Sequence, residues 1–288
     1  MNHSDNLKRG EKGAWLSIFA YIFLAALKLI IGYAGDSDAL RADGLNNSTD
    51  VVASVAVLIG LKISRKPPDE NHHYGHFRAE TIASLFAAFV MMFVGIQVIF
   101  STIKNVLEGN SLKPDIITAW TALGAAFIML LVYLYNVKLA KKINSSSLYA
   151  AAQDNRSDAL VSIGAFVGII GAQFGLFWLD PLAGLLVGLI ICKTAWDIFK
   201  DATHSLTDGF DTEQIKKIRS SVEMEPDVKS VKHVKGRVLG NQPFIDITIL
   251  VDSHLNVKES HDITVRIEQH LYNEHNIRHA HIHIEPFQ

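Results

Sequence analysis

Hydrophobic positions form long unbroken runs over the first two thirds of the chain and short periodic patterns over the last third. A helix that crosses a bilayer needs about 20 mainly apolar residues, and runs of that kind predict spans at 14–35, 39–62, 81–107, 115–138, 147–172 and 177–198. Beyond residue 210 the pattern predicts a helix at 211–223, strands at about 228–238 and 243–252, a helix at 257–274 and a strand at 278–285. In "RHAHIHIEP", His279, His281, His283 and Glu285 alternate with Ala280, Ile282 and Ile284, so one strand face is polar and the other suits a core. The expected fold is an α-helical membrane bundle of six transmembrane helices plus a C-terminal α/β domain of order αββαβ. Its expected division is 1–200 for the membrane domain, 201–210 for a linker and 211–288 for the polar domain.

Composition agrees with that division. Of 288 residues, 49% are hydrophobic and 19% charged, too apolar for a soluble domain and too charged for a pure membrane bundle. Positive charges alternate between connectors: Lys8, Arg9 and Lys12 precede the first span, Lys62, Arg65, Lys66 and Arg78 follow the second, and Lys138, Lys141 and Lys142 follow the fourth. The opposite ends carry chiefly Arg41 and Lys113, so a multi-pass cell-membrane protein is expected with both termini and the C-terminal domain cytoplasmic. The first run follows a charged start and is too long to read as a cleaved signal peptide. Gly164 with Gly168, and Gly184 with Gly188, have the spacing of close helix contacts. A net charge of −2 argues against a nucleic-acid partner, and the single Cys192 cannot form an internal disulfide. No Gly-rich phosphate loop, nucleophile motif or HExxH points to an enzyme.

"DGLNNSTDVV", residues 43–52, breaks the apolar rule of the second span with Asp43, Asn46, Asn47 and Asp50. Asp50 lies near mid-span, and Asn46, four residues earlier, points the same way on a helix. The fifth span repeats the arrangement with Asp154 and Asp158. An ionised Asp at the bilayer centre costs at least about 2.5–3.5 kcal/mol, so a cation between the two helices is the economical explanation. Spacing alone does not separate Asn46 and Asp50 from Asp43 and Asn47. Depth favours the former as ligands and leaves Asp43 for an outward vestibule. Lys28, Gln97 and Asn155 are expected to snorkel or to bond neighbouring helices. Three carboxylates and one amide form an oxygen-donor set without imidazole or thiolate, which suits Mn²⁺ better than Zn²⁺.

The motifs "ADGLNNSTDVVAS", "DENHHYGHFRAE" and "DNRSDA", with the histidine-rich C-terminus, resemble the cation diffusion facilitator family of proton-coupled divalent-metal exporters over essentially the whole chain. In zinc-exporting relatives the fifth-span pair is commonly His-x-x-x-Asp. Here Asp154 stands at the histidine position and Asn46 opens the second-span pair, similar to manganese-exporting branches. The resemblance implies a metallochaperone-like C-terminal domain, a homodimer, a second metal near Asp69, His72 and His76, and a salt link between Arg78 and Asp208. It also implies a regulatory metal at His233, His261, His283 and Glu285 at the interface between soluble domains, with one further ligand position occupied by Thr248 and His281 as a neighbouring substitute.

The expected function is therefore efflux of a divalent metal, most simply Mn²⁺, from the cytoplasm by alternating access, with protons moving inward and no cofactor beyond the transported or regulatory metal, for which Zn²⁺ is the second choice. Two other readings stand beside it: export of zinc, iron, cobalt or cadmium, and a membrane-anchored metal sensor that transports nothing.

Overall fold

A computed structural model describes residues 3–108, 113–143, 146–240 and 242–287. Each apolar run lies in one long helix: α1 (His3–Ala34), α2 (Asp38–Ser64), α3 (Arg78–Leu107), α4 (Ile116–Ile143), α5 (Ser146–Gln173) and α6 (Leu179–Leu206). Five of these, α1 to α4 and α6, are long and apolar enough to cross a membrane. The 28-residue α5 has the length, but Asp154, Arg156 and Asp158 dilute its apolar character. Residues 201–206, expected in the linker, are the last turns of α6. The helix runs on because "DATHSL" contains neither Gly nor Pro, and the break comes at Asp208, whose φ of 60° is left-handed, followed by Gly209.

Contacts divide the chain into two compact units, residues 1–56 with 86–197, and residues 57–85 with 198–288. In the first, α1, α4 and α5 meet through Tyr21, Leu24, Ala125, Met129 and Ala159, while Ala39 and Leu40 of α2 join Ala119, Ala122, Ala165 and Ile169. Alanines at these contacts bring backbones close enough for short polar side chains to reach one another. Two glycines do the same. A Cβ on Gly168 would lie 2.6 Å from the Cβ of Ala183, and one on Gly184 would lie 3.0 Å from the carbonyl oxygen of Asp38. Gly164, expected to pack with Gly168, has open space instead. The outward face is apolar: Phe86, Phe93 and Phe100, spaced seven apart on α3, are all exposed, as are Phe19, Trp120 and Trp196. Such a surface needs hydrocarbon around it.

The start of α2 is held from α6. Ser37 Oγ accepts from the Leu40 N–H at 3.1 Å and donates to Asp180 Oδ1 at 2.7 Å, and the Asp38 N–H donates to Asp180 Oδ2 at 2.7 Å. A carboxylate at a helix N-terminus satisfies donors that the helix itself leaves unpaired.

In the second unit, α7 (Thr212–Glu223), β1 (Ser230–Leu239), β2 (Gln242–Val251), α8 (Val257–His275) and β3 (His279–Pro286) follow the expected order αββαβ. The sheet order is β1-β2-β3, with β1 and β2 antiparallel and β2 and β3 parallel. The parallel pair requires a crossover, which α8 provides. Asn256 and Glu259 form a reciprocal capping box that starts α8, and Asn276 at φ 54° ends it. The core joins Ile245, Ile247, Ile249 and Val251 of β2 to Ile218 and Val222 of α7 and to Ile263, Ile267 and Leu271 of α8. Ala280, Ile282 and Ile284 of β3 pack against it, as their alternation in sequence requires.

Ile267 is fully buried in that core. Ile267→Ala should cost about 2–5 kcal/mol. Hydrogen exchange of β2 amides in the full-length protein should accelerate by at least about 30-fold, because each 1.4 kcal/mol is a factor of ten. Unchanged exchange would mean that α8 does not hold this sheet.

Candidate metal centres

At about 100° per residue, Asp43 and Asn47 occupy one stripe of α2, and Asn46 with Asp50 occupies another roughly 60° away. The fold sends the two stripes to different partners. The second meets α5: Asn46 Nδ2 donates to Asp158 Oδ1 at 3.1 Å and to Asp50 Oδ2 at a long 3.4 Å. Asn46 and Asp158 are both 7% exposed. Asp50 is half-buried. Asp154, one turn before Asp158, is exposed and makes no hydrogen bond or ion pair with this trio among the described residues.

Helix α1 supplies the group that spacing on α2 and α5 could not reveal. The Tyr21 hydroxyl donates to Asp158 Oδ2 at 2.7 Å and lies 3.0 Å from Asn155 Oδ1. Asn155 Nδ2 donates to Ser17 Oγ at 3.0 Å, as does Asn136 Nδ2 at 2.9 Å. Both carboxylate oxygens of Asp158 are thus engaged, one by α1 and one by α2. Asn155 bonds neighbouring helices as expected, and Gln97 is exposed.

Asp43 does not stand in an outward vestibule. It is fully buried, and Lys28 Nζ of α1 pairs with its Oδ1 at 2.9 Å. The same ammonium donates to Asn47 Oδ1 at 2.6 Å and to Ser162 Oγ of α5 at 2.9 Å. Lys28 is therefore not snorkelling, because its side chain ends among acceptors that a bilayer cannot offer. One signal in the sequence pointed here: Ser17, Tyr21 and Lys28 lie at helical spacing of four and seven within an apolar run, a polar stripe on one face of α1.

In the second unit, Asp69, His72 and His76 come together, with one ligand atom from each all within 4.8 Å of one another. Asp69 Oδ1 lies 3.1 Å from His72 Nδ1, and Asp69 Oδ2 lies 3.4 Å from His76 Nε2. Desolvation works to raise the Asp69 carboxyl, but the backbone N–H groups of His72 and Asn71 and the His72 ring outweigh it and hold the group below its ordinary value. An ionised carboxylate beside two imidazoles is a donor set of the kind that can hold a cation. Arg78 and Asp208 also meet, Nη2 donating to Oδ1 at 2.6 Å.

The C-terminal set is only partly assembled. Thr248 pairs with His233 on one side and with His283 on the other, so the three form one row across the sheet. A bulge between Val231 and His233 makes this possible, because it turns His233 to the open face while Val231 stays in the core. Glu285 follows on the same face, its Oε1 3.9 Å from His283 Nε2, but Lys232 Nζ donates to its Oε2 at 2.6 Å. His281 lies 3.9 Å from Asp246. His261 is exposed on α8, and among the described residues His233, His261, His283 and Glu285 do not bring three ligand atoms within 4.8 Å.

Residues 14–207 match the profile of the Cation efflux transmembrane domain, and residues 210–287 match the Cation efflux protein, cytoplasmic domain. The chain is 55% identical over 288 residues to the manganese efflux system protein MneS of Bacillus subtilis (strain 168), covering 100% of this chain and 99% of that protein. It is 53% identical over 286 residues to the uncharacterized transporter YdbO of the same strain, covering 99% of each. It is 29% identical over 293 residues to the manganese efflux system protein MneP, also of that strain, covering 99% of this chain and 98% of that protein.

The hydrogen bond and charge of Lys232 hold the Glu285 carboxyl below its ordinary value. A depressed folded-state value contributes stability above the unfolded-state value and loses it as pH falls through the folded one. Lys232→Ala should return Glu285 toward the ordinary glutamate range, read by carboxyl NMR titration, and raised salt should shrink the difference because the pair is exposed. An unmoved titration would show that Lys232 does not hold this carboxylate.

Proposed function

The chain belongs to the cation efflux family, and we propose that it exports Mn²⁺ through a site made by Asn46, Asp50, Asp154 and Asp158. The observation that carries this reading is that Asn46 bridges Asp50 and Asp158 between α2 and α5, drawing together three side chains that each bear oxygen donors. Mn²⁺ lies lowest in the first-row divalent series and gains least from nitrogen donors, so an all-oxygen set narrows its disadvantage against Zn²⁺. The 55% identity to a manganese efflux protein supports the same ion.

Loading begins by breaking contacts. Asn46 turns its amide so that Oδ1 replaces Nδ2 toward the ion, and Asp158 exchanges the Tyr21 hydroxyl for the metal. Asp154, one turn along α5, supplies the further carboxylate when the helices shift. Buried carboxylates facing one another repel when no cation lies between them, so departure of the metal is matched by proton uptake and loading by proton release. Alternate opening of the site to the two sides of the membrane makes this an exchange of metal for protons. We place both termini and the C-terminal domain in the cytoplasm, from the alternation of basic connectors, and take the protein as a homodimer, which the match to the ZT_dimer domain supports. The Arg78–Asp208 pair would brace that dimer. Asp69, His72 and His76, and the row of His233 and His283 with Glu285 and with His261, would hold regulatory metal. Imidazole donors there suit Zn²⁺ as well as Mn²⁺.

In proteoliposomes under an imposed pH gradient, Asp50→Ala and Asp158→Ala should each lose Mn²⁺ flux to background while inserting and assembling like the parent. Normal flux in either variant would remove the site assignment.

Asp154→His should shift the competition between Mn²⁺ and Zn²⁺ toward Zn²⁺ at fixed pH. A parent that already prefers Zn²⁺, or a ratio that does not move, would place selectivity elsewhere than in the donor set.

A further inference from the structure

The other half of the polar stretch in α2, Asp43 and Asn47, lies outside the proposed transport set. Asp43 and Asn47 are fully buried, and they face Lys28 of α1 and Ser162 of α5, which are fully buried as well. An ammonium has three N–H donors and no acceptor. All three are used, toward a carboxylate at 2.9 Å, an amide carbonyl at 2.6 Å and a hydroxyl at 2.9 Å. Those acceptors are hard oxygens of the kind that bind Mn²⁺ or Mg²⁺. They repeat the chemistry of the neighbouring stripe, an Asp and an Asn four residues apart on α2 met by an oxygen from α5. The set also has capacity to spare, since Asp43 Oδ2 is buried without a partner.

We propose that Lys28 is a tethered cation filling a second divalent-metal position, so that the polar stretch of α2 carries one exchangeable ion and not two. A compact ammonium on a flexible stem can reach the centre of such a set, which a planar guanidinium cannot do with the same three contacts. Because the charge is covalently attached to α1, it neutralises Asp43 at every stage of transport and does not leave with the cargo. The proposal rests on the manganese reading only for its probe ion, and its readout is bound metal at Asp43, independent of flux through Asp50 and Asp158.

The test counts Mn²⁺ bound to the full-length protein, by equilibrium dialysis and electron paramagnetic resonance, in the parent, in Lys28→Ala and in Lys28→Ala/Asp43→Asn. Lys28→Ala should bind one more Mn²⁺ per chain than the parent, and the added Asp43→Asn should abolish that gain. Because Lys28→Ala leaves Asp43 unpaired, it is produced and melted with and without Mn²⁺. The ion should raise its melting temperature more than that of the parent or the double variant. A Lys28→Ala protein that gains no Asp43-dependent ion, or that is not recovered folded even in Mn²⁺, overturns the proposal.

Discussion

The contact on which the first unit most depends is the buried pair of Lys28 and Asp43, 2.9 Å apart and with neither side chain exposed. Breaking a buried pair by removing one partner costs about 3–5 kcal/mol, because the other charge is left without compensation. In hydrocarbon no water can take over that duty. The pair therefore sets where α1 lies against α2, and Ser162 extends the same constraint to α5. Once those three helices are placed, the stripe carrying Asn46 and Asp50 faces Asp158, with Tyr21 beside it.

Asn46, Asp50, Asp154 and Asp158, the proposed transport residues, are held differently from that anchor. Lys28 uses all its donors on short contacts, whereas Asn46 reaches Asp50 only at 3.4 Å, and Asp154 has no partner in the group. A site that must take up and release an ion needs side chains that can exchange partners, and hydrogen bonds to Tyr21 and Asn46 are cheaper to replace than an ion pair. In the proposed cycle, a fixed charge beside a replaceable set of carboxylates would let the helices keep their neighbours while the cargo changes.

The second unit couples local chemistry to the same chain. Its members include the end of α2, the start of α3 and the connection between them, so the Asp69, His72 and His76 group belongs with the sheet domain. Tyr74 and Phe77 of that connection lie near Phe244, which stacks on His279 at 4.3 Å with rings 3° from parallel. Gly240 makes room for this approach: at φ 61° it sits where a Cβ would run into the Phe77 carbonyl. The bulge at Lys232 acts in the same economical way on the other edge, bringing His233 level with Thr248 and His283 while giving Glu285 a cationic partner.

The sequence by itself determined the long helices, the αββαβ order and the two Asp/Asn stripes, because each follows from periodicity along one element. The alternation in β3, the capping residues of α8 and the apolar runs all act over a few residues, where chain order is also spatial order. Spacing alone does not say which stripe meets Asp158, since the two differ by roughly 60° around one helix; depth favours Asn46 and Asp50, and the placement of α1 and α5 brings that stripe to Asp158. For the same reason the pattern leaves Lys28 open between the interface and a bond to a neighbouring helix, of which the structure shows the second, and assigns Asp43 to a vestibule it does not occupy. Each is tolerable at its depth only because the other is there, and residues 15 apart on different helices become partners through packing and not through spacing. The row of His233, Thr248 and His283 likewise needed the bulge and a parallel strand from beyond α8, so three positions scattered over 51 residues acquired a common face only in the folded sheet.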